Sequence, residues 1–285
     1  LGVPPLPPFY VAGPRPSSIR GGLTGGLLDI LRGACWGMAA RGTAASGGSG
    51  PARTGVRALG TLNLGSTVPD FSAETTLGPI RWHDYIGGSW AVLFSHPADF
   101  TPVCTTELGT VATFLPEFQR RGVKVAALSC NDTESHKAWI EDIEATDFAS
   151  GNKVAYPIIS DPGRDVAVLY GMLDPEEKDD EGLPLTCRAV FIIKPDKSLA
   201  LSILYPATTG RNFSEVLRVL DSLQLTSDFS VATPADWSSG QPCMVVPSLS
   251  DAEATEKFKK GFKKLDVPSG KGYLRLTDDP SKEEQ

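Results

Sequence analysis

The sequence predicts an α/β fold: a sheet flanked by helices, preceded by an unstructured N-terminal leader and followed by a small α+β C-terminal part. Three observations carry this. Continuous apolar runs at Trp90–Phe94, Lys124–Ser129 and Ala189–Ile193 read as strands buried on both faces. Between the first two, Leu108, Val111, Leu115 and Phe118 recur at spacings of three and four, the stripe of one helix face. The texture changes at both ends, which divides the chain into a leader (1–60), a central domain (61–226) and a C-terminal domain (227–285).

The leader crowds prolines into its first sixteen positions and Gly, Ala and Ser into 39–50. Ile19, Leu23, Leu27, Leu28, Ile30 and Leu31 mix with Arg20 and Arg32 as a weak amphipathic helix broken by glycines. Six Arg, no Lys and one acid give this leader +5, so the −7 of the whole chain hides a body of −12. An Arg-bearing, nearly acid-free leader fits a transit peptide, mitochondrial first, with cytoplasmic residence and an extension without targeting role as the alternatives.

From Leu62 the pattern is globular. Val68–Phe71 and Ile80–Trp82 predict two short strands around the Gly78-Pro79 turn. The Trp90–Phe94 strand feeds a loop broken by Pro97, Asp99 and Pro102, and the following helix ends before Gly122. After the Lys124–Ser129 strand, Asn131 with Glu134 predicts a capped helix start, and Val166–Tyr170 reads as helical. Ala189–Ile193 and Leu199–Leu204 form a hairpin through Lys194–Ser198, and Asn212 with Glu215 opens a helix along Val216, Leu220 and Leu223. Ser250 with Glu253 caps one more helix, and Gly272–Leu276 is strand-like. Strand–helix alternation closing in a hairpin and a helix is the pattern of a thioredoxin-like sheet.

Composition excludes several classes. An acidic body argues against nucleic acid as a partner and against charge-driven binding to anionic membranes. No apolar run approaches the roughly 20 residues that span a bilayer. Five scattered cysteines (Cys35, Cys104, Cys130, Cys187, Cys243) do not form a disulfide framework and suit a reducing compartment. With three histidines and no Cys-x-x-Cys pair, no metal site is expected.

The stretch Ser95–Leu108 is the candidate site. Cys104 falls where a loop becomes the first turn of a helix, and there unpaired N–H groups and the helix dipole favour a thiolate. Thr101 brings a hydroxyl to the same space. Position alone leaves two readings open, a reactive thiol and a small buried hydrophobe.

Pro97, Thr101 and Cys104 stand in the pattern P-x-x-x-T-x-x-C, the signature of the peroxiredoxins. The string His96–Leu108 resembles the one-cysteine branch of that AhpC/TSA family, the peroxiredoxin-6 type. So do Met172–Pro175, Leu204–Asn212 and Gly272–Arg275, and the likeness runs from about residue 62 to 278. It implies a thioredoxin-like fold with a C-terminal domain that helps build a homodimer. It also implies a thiol peroxidase acting on hydrogen peroxide and organic hydroperoxides, phospholipid ones among them, in antioxidant defence. By resemblance Cys104 attacks the peroxide and becomes a sulfenic acid. Arg188 pairs with the thiolate, Arg211 supports it, and Thr101 hydrogen-bonds thiolate and peroxide. Pro97 limits water, Glu107 anchors an arginine, and His96 has a structural or a catalytic role.

Two-cysteine relatives carry a resolving cysteine in a V-C-P-A-x-W-like segment. Here Val231–Trp237 has Thr233 at that place, and Cys243 lies too far on. No bound cofactor is therefore expected, and an external thiol must finish the cycle, glutathione delivered by a transferase being the family's usual candidate. Relatives of this type are also associated with a phospholipase A2 activity, whose positions match Ser89, His83 and Asp196. The family's G-D-S-W-G segment reads Gly87-Gly88-Ser89-Trp90-Ala91 here, a departure that puts the lipase function in question. A non-enzymatic chaperone or scaffold using the C-terminal surface is the third reading.

Overall fold

The computed structural model describes residues 62–282. The leader, Cys35 and the transit-peptide reading lie outside them. Two short strands, β1 (Ser72–Ala73) and β2 (Ile80–Arg81), pair antiparallel and lead into helix α1 (Trp82–Ile86). The predicted strand at Val68–Phe71 is not one. Thr67 makes a single bridge to Ser198, and the pairing begins only at Ser72, where Pro69 no longer interrupts the donors. Trp82 likewise opens a helix instead of ending a strand.

Next come β3 (Trp90–Ser95), α2 (Pro102–Arg120), β4 (Val123–Ser129), α3 (Thr133–Ala145) and a 3₁₀ turn, Asp147–Ala149. They are followed by β5 (Ile158–Ser160), α4 (Asp165–Tyr170), the hairpin β6 (Leu173–Lys178) and β7 (Pro184–Thr186), β8 (Arg188–Ile193), β9 (Leu199–Tyr205) and α5 (Phe213–Asp228). The central sheet has the order β5-β4-β3-β8-β9. β3, β4 and β5 run parallel, while β8 and β9 are antiparallel additions.

Because side chains alternate along a strand, β3 serves two cores. Val92 and Phe94 join Leu108, Val111, Phe118, Trp139, Phe213 and Leu220 on the α2–α3–α5 side. Ala91 and Leu93 join Trp82, Ile86, Val166, Tyr170 and Phe191 on the α1–α4 side. Burial on both faces is why these strands read as unbroken apolar runs.

The helix starts follow cap chemistry. Asn212 accepts from the Glu215 N–H, and Ser250 and Glu253 form a reciprocal capping box. At α3 the cap is Asp132, whose side chain accepts from Ser135 N–H, not Asn131. Asn131 instead accepts the Asp99 N–H at 3.0 Å.

The C-terminal part has β10 (Val231–Ala232), β11 (Cys243–Val245), α6 (Asp251–Lys257), β12 (Lys263–Lys264), β13 (Arg275–Thr277) and a closing 3₁₀ turn, Pro280–Lys282. Its sheet has the order β10-β11-β13-β12 around a separate core of Leu225, Val231, Trp237, Val245, Ala254 and Phe258. A boundary after 226 falls inside the last turn of α5, whose Leu225 already belongs to that core. Among the described residues, no helix is long and apolar enough to cross a membrane.

Candidate active site

Cys104 is the third residue of α2, after the cap Thr101 and Pro102 in the first position. Proline suits that place because its missing N–H would be unpaired anyway. The loop before it is held under strain. Phe100 has φ +53, a left-handed conformation that a bulky side chain rarely adopts. Its neighbours pin it: Asp99 N–H donates to Asn131, and the Thr101 hydroxyl donates to Ala98 C=O at 2.9 Å.

Arg188, opening β8, donates through Nη1 to Cys104 Sγ at 3.3 Å and to Glu107 Oε2 at 2.8 Å. Its Nε and Nη2 are fixed on Ala207 C=O at 2.8 and 2.6 Å. Arg211 grips the same carboxylate, with Nε on Oε1 at 3.0 Å and Nη2 on Oε2 at 2.7 Å. Its guanidinium also lies 5.1 and 5.4 Å from the Phe94 and Phe213 ring centres. Burial by itself would push Glu107 up, but the bonds and charge of Arg211, with the charge of Arg188, outweigh it and hold the carboxyl below its ordinary range. Two guanidiniums on one carboxylate leave one positive charge in excess, at hydrogen-bond distance from the sulfur.

The site therefore gathers Cys104, Glu107, Arg188 and Arg211, each of them buried. Pro97 is buried in the preceding loop and His96 is buried at its start. Thr101 departs from expectation. Its one proton is spent on Ala98, and the hydroxyl makes no bond to Sγ in this state. Asp99, absent from the sequence-level set, holds the loop to α3 through His136 Nδ1 at 2.7 Å and Ser135 Oγ at 2.7 Å.

The four cysteines among the described residues are free and buried, and what distinguishes Cys104 is the Arg188 guanidinium on its sulfur. Burial pushes the thiols of Cys130 and Cys243 up to about 11 and raises that of Cys187. None of the three hydrogen-bonds a guanidinium. At the place of a resolving cysteine, Thr233 Oγ1 is 2.7 Å from Ser222 Oγ.

The lipase positions are not joined. His83 Nε2 is 3.0 Å from Val68 C=O, while Asp196 Oδ1 accepts from Ser198 N–H and Oγ–H at 2.8 and 2.6 Å. Ser89 lines a cavity of about 320 Å³ with Tyr85, Gln119, Lys124 and Tyr156, and neither partner lines it. Ser89 also stands between a helix and a strand, not on the strand-to-helix turn of a nucleophile elbow. A Cβ at Gly88 would meet nothing within 4 Å, so sterics do not account for the missing acid there.

A thioredoxin-like sheet with a cysteine at a helix mouth against a buried guanidinium defines a thiol-redox protein. The AhpC/TSA family profile matches residues 64–202, and the C-terminal domain of 1-Cys peroxiredoxin matches 222–261. Over 222 residues, 78% of this chain and 99% of theirs, it is 58% identical to Peroxiredoxin-6 of Mus musculus and 55% to that of Homo sapiens. Among solved structures, a mutant Peroxiredoxin 6 of Arenicola marina has 56% identity and a TM-score of 0.74, covering 76% of this chain and 98% of its own. A yeast mitochondrial 1-Cys peroxiredoxin, studied for thiol resolution via glutathione/thioredoxin systems, has 47% identity and a TM-score of 0.69, covering 76% of this chain and all of its own. The chain belongs to the AhpC/TSA family, in its 1-Cys, peroxiredoxin-6-type branch. It is a thiol peroxidase that works through a single cysteine.

Proposed function

We propose that Cys104 is that cysteine and that the arginine–glutamate cluster prepares it. The observation that carries the reading is the 3.3 Å contact from Arg188 to Sγ, backed by one uncompensated buried charge. The sulfur attacks the terminal peroxide oxygen: an S–O bond forms, the O–O bond breaks, and its electron pair leaves on the departing oxygen, which must gain a proton. Arg188 pairs with the anion before attack, and Glu107 and Arg211 hold Arg188 in place. Pro97 shields the sulfur. Thr101 bonds thiolate and peroxide once its hydroxyl turns from Ala98, and His96 supports the loop. Hydrogen peroxide and organic hydroperoxides are the substrates, phospholipid hydroperoxides included.

An external thiol clears the sulfenic acid, because Thr233 supplies no sulfur and Cys130 and Cys243 are poor nucleophiles. Glutathione is the favoured reductant and a glutathione transferase the favoured delivering partner. The likeness to the yeast enzyme supports the glutathione part of that reading. A homodimer suits the open edge of β9, where Leu204 is 59% exposed. The central and C-terminal parts act as two domains meeting along α5, and a mitochondrial destination follows from the Arg-bearing leader.

Stopped-flow mixing with hydrogen peroxide tests the core of this. The wild type should oxidise one thiol in a burst, and Cys104→Ser should not. Adding glutathione with a transferase should restore turnover, and turnover with thioredoxin alone would replace glutathione as the reductant. A burst that survives Cys104→Ser removes the assignment.

A further inference from the structure

Charge is spread unevenly over the folded part of the chain. Residues 257–275 hold six Lys, one Arg and a single acid, Asp266, a net +6. They belong to a body of −12, so the rest of residues 61–285 stands at −18. All six lysines (Lys257, Lys259, Lys260, Lys263, Lys264 and Lys271) are exposed. Lys264 pairs with Asp251, Lys260 with Asp278, and Lys257 donates to Ser230 Oγ. Lys259, Lys263 and Lys271 have no ion pair among the described residues. Tyr273, close to Lys271 in the chain, is 57% exposed, and Lys264 lies against the neighbouring Gly272. Lys263–Lys264 is β12, the outer strand of the C-terminal sheet. Lysines on a sheet edge discourage strand addition, so an occupant meets this face through side chains.

The opposite charge sits on the hairpin β6–β7. From Asp174 to Glu181 there are six acids and one lysine, a net −5. Asp179 is spent on Arg164, and Asp174 accepts from Glu176 N–H. The carboxylates of Glu176, Glu177, Asp180 and Glu181 have no partner among the described residues. Leu183, just ahead of β7, is 43% exposed. Among the described residues, no hydrogen bond or ion pair joins this hairpin to residues 257–275 of the same chain. Each segment thus combines unpaired charge of one sign with an exposed apolar side chain, the make-up of a docking patch with an anchor.

We infer that the basic face around Lys259, Lys263 and Lys271 docks the acidic β6–β7 hairpin of a second copy of this chain. Every copy carries both halves, so a two-fold pair makes the contact twice. The contact goes beyond the β9 edge named above and does not rest on the peroxidase reading. Opposite charge steers and orients the encounter, while Tyr273 and Leu183 supply the apolar contact that exposed ion pairs lack. The hairpin also walls a cavity of about 300 Å³, where Lys178, Asp179 and Asp180 share the lining with Asn131 and with Ala98 of the loop before α2. At its far end Thr186 Oγ1 donates to His96 C=O at 2.6 Å. Docking therefore brings lysines of the second copy to the rim of a cavity that borders the catalytic loop.

Zero-length carbodiimide cross-linking of the full chain tests this, because it joins a lysine amine to a carboxylate only where the two touch. In an equal mixture of light and nitrogen-15 protein, mass spectrometry should find peptides from 257–275 joined to peptides from 173–183 in light–heavy pairs. Their yield should fall at least about tenfold in about 1 M salt, where screening acts over roughly 3 Å. Absent pairs, pairs indifferent to salt, or links confined to one chain overturn the inference.

Charge reversal gives the second measurement. Lys263→Glu with Lys271→Glu, and separately Glu177→Lys with Asp180→Lys, should each cut the light–heavy yield at least about tenfold. Mixing the two variants should restore it, because the reversed face then meets the reversed hairpin and the two unreversed segments meet each other. Failure of the mixture to recover overturns the inference. So does a basic face that carries the protein onto anionic vesicles while reversal of the hairpin changes no cross-link. None of the four substituted residues touches Cys104, so the peroxide burst should persist in both variants. Loss of the wild-type burst would strike the peroxidase reading alone and leave the cross-links to be read.

Discussion

Two carboxylates are buried near the sulfur, and each is bracketed by two nitrogen bases. Glu107 lies between Arg188 and Arg211; Asp99 lies between His96 and His136. The difference is in the bases. A guanidinium keeps its charge at every accessible pH, so the Glu107 cluster has a fixed surplus of one positive charge. The Asp99 cluster holds no guanidinium, and its hydrogen bonds to Ser135 and His136 tie the loop to α3. A permanent charge at the helix mouth stabilises an anion, while the second cluster fixes the loop that leads into that helix.

Removing the sulfur is the largest perturbation, and Cys104→Ser should abolish the peroxide burst while leaving both clusters assembled. Arg188→Ala removes the donor that touches Sγ and should slow the burst by about 10²–10³-fold, the scale of losing one preorganised donor. Slowing by less than threefold would mean that Arg211 or the helix terminus can substitute.

Glu107→Gln attacks the fixed-charge cluster as structure. It leaves two buried guanidiniums on a neutral amide, and urea denaturation should show a loss of about 3–5 kcal/mol. The same variant sharpens the pH comparison. Glu107 and Asp99 are both held below their ordinary range, so each contributes stability that is complete above its unfolded value and lost as pH falls through its folded one. Urea midpoints should therefore fall on acidification from the ordinary carboxylate range downward, more shallowly in Glu107→Gln. Equal slopes would put the acid sensitivity elsewhere.

The smallest effect is expected at the remaining thiols. Cys130→Ser and Cys243→Ser should leave the burst unchanged, and neither thiol should alkylate readily in the folded protein near neutral pH, since burial pushes both up to about 11.

Cys104 was legible through a motif and a helix start, Glu107, Arg188 and Arg211 only through the family resemblance, and the buried strands through their unbroken apolar runs. Capping at Asn212 and Ser250 was legible because it is local chemistry between residues three apart. The Asp99–His136 pair was not, since its members are 37 positions apart and meet only when α3 packs on the loop. The hairpin β6–β7 escaped because Leu173–Lys178 is half exposed, acidic and without a fully buried residue, so no apolar alternation marks a strand. Helix α1 escaped because five residues are too few to show a helical period.

Cys104 is 0% exposed. Once it carries an extra oxygen, an outside sulfur needs the straight approach that disulfide formation demands, so each catalytic round should contain a breathing step that loosens the opening turn of α2. At saturating reductant the turnover rate should level off at a value set by that opening, identical for a small thiol and a large one.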